Sequence, residues 1–248
     1  MSANPTYLIT GVTKGIGFGL LNAYLSRPNH TIIAGIRDPT TGSSDITAIP
    51  RAAGTKLIIV KIDSKSETDA STAISELRSK HNIESLDVVI ANAGIGHDWS
   101  PVLQSKPESI REYIEVHTIG PLVLFQATWQ LLQKAKDPKF ILMSTGFSSL
   151  TLTEHLRAPC AGYGASKAAM NFITRKIHFE HEGLTSVLIY PGWVKTGLGN
   201  SLSQFFGGAE PELTIEESAK AVIKLVDEAT RERTSGNFYN EKGEPLPW

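Results

Sequence analysis

The chain has 248 residues, 41% of them hydrophobic and 20% charged, with a formal net charge of −1 and one cysteine, Cys160. That is enough chain to bury one full α/β core, residues 1–248; the near-neutral balance argues against nucleic acid or an anionic membrane as partner, and one thiol excludes an internal disulfide. No signal-peptide pattern opens the chain, and the longest apolar stretch, residues 121–132, is too short and too polar to span a bilayer, so a cytoplasmic protein in a reducing compartment is expected.

Residues 7–10, Tyr-Leu-Ile-Thr, read as a short apolar strand. Gly11-Val12-Thr13-Lys14-Gly15-Ile16-Gly17 follows at once, and then a helical run to about residue 26. Strand, glycine loop and helix in that order form the context in which glycines signal phosphate binding. Glycines permit a tight turn and let backbone N–H groups approach a pyrophosphate, and the helix N-terminus adds its partial positive charge. A plain glycine-rich turn is the alternative. Residues 31–36 are a second strand, with Arg37 just past its tip. An acid there would accept from a ribose 2′-OH, whereas an Arg accommodates a 2′-phosphate. Asp38 is followed by Pro39, which suggests a turn, and Lys14 adds a second cation nearby. Two cations and no acid at the tip favour NADP(H) over NAD(H).

Residues 39–54 are polar and irregular, with a short helix expected. Residues 56–62 form strand three, with Asp63 at its end, and residues 67–81 have helical spacing. Residues 86–91 read as a strand buried on both faces, running into Asn92-Ala93-Gly94. One long helix is expected over 106–134, kinked at Pro121 and closely packed at Gly120. Strand five, 139–143, ends in Ser144-Thr145, and strand six, 186–190, runs into Pro191-Gly192-Trp193-Val194-Lys195-Thr196. Residues 197–212 are rich in Gly, Ser and Phe, so a mobile substrate loop is expected over about 194–213. A last helix, 215–229, and a last strand, 236–239, close the chain. Alternating strands and helices predict a single-domain, Rossmann-like, doubly wound parallel sheet with helices on both faces. No metal-ligand cluster is legible, so no metal is expected.

Between strands five and six, the run beginning at residue 161 reads as a helix carrying Tyr163 and Lys167 four residues apart, hence on one face. A phenol normally titrates near pH ~10, and a nearby ammonium lowers that value. The pair could therefore make a tunable proton donor for a carbonyl oxygen. In isolation Tyr-x-x-x-Lys also arises as a surface lysine beside a half-buried tyrosine.

Taken together, Thr10-Gly11-x-x-x-Gly15-x-Gly17, Asp63, Asn92-Ala93-Gly94, Ser144-Thr145, Tyr163-x-x-x-Lys167 and Pro191-Gly192-x-Val194-x-Thr196 resemble the short-chain dehydrogenase/reductase family over nearly the whole chain. Within it, the runs 66–70, 124–128 and 246–248 are similar to fungal polyketide ketoreductases of the norsolorinic acid type. The resemblance implies an NADPH-dependent oxidoreductase that reduces a ketone, a hydrophobic or aromatic secondary metabolite, to an alcohol. Tyr163 would protonate the carbonyl oxygen, and Lys167 would hold the nicotinamide ribose and lower the Tyr163 pKa. The hydroxyl after strand five would orient the carbonyl. Gly11, Thr13, Lys14, Gly15, Ile16, Gly17, Arg37, Asp63, Asn92, Ala93, Gly94, Pro191, Gly192, Val194 and Thr196 would line the cofactor with Tyr163 and Lys167. A small-molecule ketone or alcohol and a homo-oligomer, dimer or tetramer, are the expected partners.

Two features depart from the family pattern. Where the family carries a relay Asn, the segment Val116-x-Thr118-x-Gly120 places His117, which near neutral pH can donate, accept or charge. The catalytic hydroxyl falls on Thr145, with Ser144, Ser148 and Ser149 as competitors. The step from Thr145 to Tyr163 is 18 residues (163 − 145), long enough to imply an extra loop, 150–158, over the substrate. Phe147, His155 and Trp193 are candidate substrate contacts. Two other readings remain open: a reductase scaffold reused for a non-redox step, and a weakly catalytic NADP(H)-binding regulator.

Overall fold

Strand β1, Thr6–Thr10, lies at the middle of the sheet in this computed structural model, which describes residues 4–156 and 158–248. Around it pair β2 (Thr31–Ile36), β3 (Lys56–Lys61), β4 (Val88–Ala91), β5 (Lys139–Met143), β6 (Thr185–Ile189) and β7 (Phe238–Tyr239). Their order is β3-β2-β1-β4-β5-β6-β7, and every pairing is parallel. The chain's direction of travel across the sheet reverses between β1 and β4. That switch point opens a crevice at the carboxyl ends of the strands, where ligands bind in doubly wound folds.

The helices are α1 (Gly15–Leu25), α2 (Pro39–Gly42), α3 (Ser44–Thr47), α4 (Asp69–His81), α5 (Pro107–Ile114), α6 (Gly120–Leu132), α7 (Ala161–Glu180), α8 (Gly197–Ser201) and α9 (Ile215–Glu228). Strand residues alternate between two cores. Tyr7 and Ile9 of β1, with Ile32 and Ala34 of β2, meet Leu20, Leu21 and Val222 from α1 and α9. Leu8 and Ile33 face the other way, against Leu77, Leu124 and Met170 from α4, α6 and α7. Each such side chain contributes about 1.5–3 kcal/mol when fully buried. α9 begins with a reciprocal cap, in which Thr214 Oγ1 accepts from Glu217 N–H and Glu217 Oε2 accepts from Thr214 N–H.

The expected long helix differs in detail. α5 and α6 are joined by a π-helical turn, Glu115–Ile119, closed by Gly120 N–H donating to Glu115 O. Pro121 has no N–H to continue the α-ladder, and the wide turn carries His117 into the interior. Residues 39–54 form two short helices rather than one, and residues 197–206 fold into α8 and a 3₁₀ turn, Ser203–Phe206. No helix of the described residues is long and apolar enough to cross a membrane.

Candidate active site

The glycine loop leaves β1 at Gly11, whose φ of 70° is open to glycine at little cost. A Cβ there would lie 2.7 Å from Ala93 Cα; one at Gly17 would lie 2.2 Å from Gly11 O and 2.4 Å from Asn92 Nδ2. Both positions are filled by backbone and by Asn92. The Asn92 amide donates to Thr10 O (2.9 Å) and Gly11 O (3.2 Å), while Thr10 Oγ1 accepts from the N–H groups of Asn92 and Ala93. Asn92 thus stitches the exits of β1 and β4 together. α1 starts with no side-chain cap and no acid in its first turn, so its leading N–H groups are available to an anion. Thr13 and Lys14 are exposed, and Ile16 is half-buried.

Arg37 is exposed beyond β2. Asp38 is turned into its own helix cap, accepting from Thr40 N–H (2.9 Å), Thr40 Oγ1 (2.5 Å) and Thr41 Oγ1 (2.9 Å). Those hydrogen bonds, the Thr40 hydroxyl's above all, hold its carboxyl below the usual range. Asp63 accepts from Lys65 N–H (3.0 Å). The segment after β6 returns to the same crevice, since a Cβ at Gly15 would lie 3.4 Å from Thr196 Cγ2. Pro191 O accepts from Ser218 Oγ, and a Cβ at Gly192 would meet Leu213 Cδ1 at 2.5 Å. Val194 bridges to Leu213, and Thr196 Oγ1 caps α8 at Gly199 N–H.

α7 presents Tyr163, Ser166, Lys167, Met170, Asn171 and Thr174 on its buried face. Small residues let it sit this deep: a Cβ at Gly164 would lie 2.6 Å from Phe147 O. Burial pushes the Tyr163 phenol well above its ordinary value, and the Thr145 side chain nearby pulls the other way. The sequence expectation gives that lowering to Lys167. Here the Lys167 ammonium donates to Met143 O (2.7 Å), at the end of β5, and burial depresses it to about 8. The hydroxyls after β5 separate as well. Ser144 Oγ donates to Asn171 Oδ1 (2.7 Å) and lies 3.1 Å from Ser148 Oγ, which donates to Thr145 O (2.6 Å). Ser149 Oγ accepts from Leu152 N–H. Thr145 is the one that reaches Tyr163.

His117 is wholly buried. Its Nε2 lies 2.9 Å from Ile95 N–H, which can only donate, so Nε2 accepts. A neutral ring then carries its proton on Nδ1 and donates to Ser166 Oγ (2.9 Å), which donates to Tyr163 O (2.7 Å). Both nitrogens are spent, and the chain ends on a backbone carbonyl. Through these bonds His117 clamps the loop after β4 to the Tyr163 turn, rather than hydrogen-bonding Lys167 directly. Burial first, and the Lys167 charge second, hold the ring well below the ordinary imidazole range.

The Tyr163 ring is met edge-on by Trp99 (5.3 Å), His117 (5.3 Å), Tyr113 (6.0 Å) and Phe147 (6.5 Å). Of the three substrate candidates, only Phe147 makes such a contact. Trp193 donates to Gly199 O (2.8 Å) and packs on Phe206 (5.0 Å). His155 is exposed beside Glu154. The extra loop 150–158, of which residue 157 lies outside the described residues, is tied elsewhere: Thr151 N–H and Oγ1 both donate to Trp248 O. Trp99 and Tyr113 are missing from the sequence reading. Tyr113 stands four residues before His117 on one helix, a spacing that was legible; Trp99 lies in a loop with no periodic signal.

A glycine loop at the switch point of a parallel sheet, with a buried tyrosine–lysine pair across the crevice, defines a dinucleotide-binding oxidoreductase. The model of the short chain dehydrogenase family matches residues 5–205. The chain is 39% identical to the norsolorinic acid ketoreductase of Dothistroma septosporum, over 100% of this chain and 94% of that one. It is likewise 39% identical to the norsolorinic acid ketoreductase of Aspergillus parasiticus, over 98% and 90%. Among solved structures, the NADPH-bound carbonyl reductase from chicken fatty liver superposes with a TM-score of 0.85 at 26% identity, covering 99% of each chain. A carbonyl reductase from Pseudomonas aeruginosa in complex with NADP gives 0.81 at 30% identity, covering 99% and 100%. The chain belongs to the short-chain dehydrogenase/reductase family.

Proposed function

We propose that this protein reduces a ketone, a hydrophobic or aromatic secondary metabolite, to its alcohol at the expense of NADPH. The observation that carries the reading is the buried Tyr163 phenol, with the Thr145 side chain beside it and four rings around it. The names of the ketoreductases and carbonyl reductases that the chain resembles support the same reaction class.

The residues present fit NADP(H). Gly11, Gly15, Gly17 and the uncapped start of α1 would receive the pyrophosphate, and Lys14 and Arg37 the 2′-phosphate, with Asp38 withdrawn into its cap. Asp63, Asn92, Ala93, Gly94, Val194 and Thr196 would line the remainder. When bound, the cofactor supplies the hydride. Tyr163 gives its proton to the ketone oxygen; a phenol held un-ionised by burial keeps that proton until charge develops on the oxygen. Thr145 donates to the same oxygen and shares the developing charge. Lys167, held by Met143 O, fixes the positive end of the site. Ser144, closed into its network with Asn171 and Ser148, holds the loop that carries Thr145. Residues 194–213, which include α8 and a 3₁₀ turn, cover the substrate.

The test is Tyr163→Phe, which removes the proton donor and leaves the ring contacts. NADPH oxidation with a panel of aromatic ketones should fall by about 10²–10⁴, while the NADPH dissociation constant stays within a few-fold. Near-normal turnover in that variant would sink the mechanism. Cofactor binding without turnover in the wild type would favour the regulator.

A further inference from the structure

Trp99 is the ring around Tyr163 that also reaches the other side of the crevice. Its indole N–H donates to Ser201 Oγ (3.0 Å), 102 residues further on. Ser201 closes α8 and donates in turn to Leu198 O (2.7 Å). The backbone beneath Trp99 is held independently. Tyr113 Oη accepts from the N–H groups of His97 (2.9 Å) and Asp98 (2.6 Å), and His117 accepts from Ile95. A Cβ at Gly96 would lie 2.8 Å from Leu198 Cδ1 and 3.0 Å from Trp99 Cζ2, so the loop, the indole and α8 press together there. The main chain at Trp99 is thus fixed from the α5 side, and its indole N–H is tied to α8 by the Ser201 hydroxyl.

We propose that Trp99 and Ser201 form one specificity-determining unit, in which the Ser201 hydroxyl locks the plane of the Trp99 indole beside Tyr163, and that locked plane selects flat aromatic ketones over flexible aliphatic ones. The proposal rests on the ketone-reductase reading above. A flat ligand gains from ring faces and edges already set in place, because aromatic pairs are sensitive to mutual angle. A flexible alkyl ketone packs against an indole in many orientations and gains less from the lock. Preorganised walls add affinity by removing ordering costs at binding.

The experiment compares wild type, Ser201→Ala, Trp99→Phe, the double variant and Ser201→Thr. With the protein loaded with NADP⁺, which cannot reduce the ligand, calorimetry gives dissociation constants for fluorenone and a straight-chain octanone. With NADPH, steady-state rates give kcat and KM for the same two ketones. Each single variant should lower the fluorenone-to-octanone affinity ratio by about three- to tenfold, the range for one hydrogen bond. The double variant should lose no more than the worse single one, because both break the same contact. Ser201→Thr, which keeps the hydroxyl, should retain the ratio. For fluorenone, KM should rise with kcat within twofold, a split that general loosening of α8 would not give. An unchanged ratio in both single variants, multiplying effects, or no binding of either ketone to the wild type overturns the proposal. If NADPH is not oxidised with either ketone while the affinity ratio still responds to Ser201→Ala, the reductase reading falls and the Trp99–Ser201 unit stands.

Discussion

Two glycine-rich segments meet at the crevice, and they are held in opposite ways. In residues 11–17, a methyl group added at Gly11 or Gly17 would collide with backbone at 2.7 Å and 2.2 Å. In residues 197–208, Gly197, Gly207 and Gly208 have nothing within 4 Å of where a Cβ would stand, and only Gly199 is jammed. The first segment is shaped by steric exclusion at Gly11 and Gly17. The second is shaped by a few polar contacts: Trp193 to Gly199 O, Trp99 to Ser201, Thr196 to Gly199 N–H and the bridge from Val194 to Leu213. The difference matches the proposed tasks. A cofactor cradle serves one ligand and gains from being unable to change, whereas a substrate cover held by single hydrogen bonds can open locally at small cost.

The strongest way to break the comparison is Gly17→Ala. The added methyl meets Gly11 O and the Asn92 amide, neither of which can yield without unstitching β1 from β4. Overpacking of this kind costs about 1–3 kcal/mol or more. NADPH affinity should fall at least tenfold and the denaturation midpoint should drop with it; titration and urea unfolding of the same sample check both. A Gly17→Ala protein that binds NADPH normally would show that the loop is not fixed by exclusion.

Arg37 tests the cradle's selectivity rather than its shape. Arg37→Ala should lower the NADPH-to-NADH preference by roughly ten- to hundredfold, the worth of a charge-assisted hydrogen bond. Dissociation constants for both cofactors decide it, and an unchanged ratio removes Arg37 from the 2′-phosphate.

His117 tests the pin between the two halves. Its folded-state pKa lies well below 6.5, so an unfolded chain binds a proton there that the folded chain refuses. The stability linked to the neutral ring is therefore present above pH ~6.5 and is lost as pH falls below it. The slope from this one group reaches at most ~1.4 kcal/mol per pH unit. Urea unfolding between pH 7 and 5.5 should show a shallower loss in His117→Asn than in wild type, and parallel curves would contradict the assignment. His178, whose value is also lowered, contributes to both curves alike.

The smallest effect is expected in the loosely held segment. Gly197→Ala, at the first position of α8 with open space around it, should stabilise by about 0.4–1 kcal/mol and leave NADPH binding untouched. Gly207→Ala has equal space but a φ of 66°, so it should destabilise by roughly 1–2 kcal/mol. Opposite signs for two alanines in equally open positions would separate backbone conformation from packing.

The sequence by itself determined the sheet, the order of strands and helices, the glycine loop and the placing of Tyr163 and Lys167 on one helix face. Those features follow from local periodicity and from residue types with few conformational alternatives, both of which are written in consecutive residues. Tertiary structure decided which hydroxyl meets Tyr163, because Ser144 and Thr145 are adjacent in sequence but leave β5 on opposite sides, one toward Asn171 and one toward the phenol. It decided that Asp38 caps its own helix, that His117 clamps Ile95 to Ser166, and that the loop after Ser149 runs to Trp248 while Trp99 reaches Ser201. Each of those is a pairing of polar groups whose partner is chosen by direction and distance in the folded chain. A hydroxyl or an imidazole has several partners within its chemical reach, and only burial of the rest of the molecule around it leaves one.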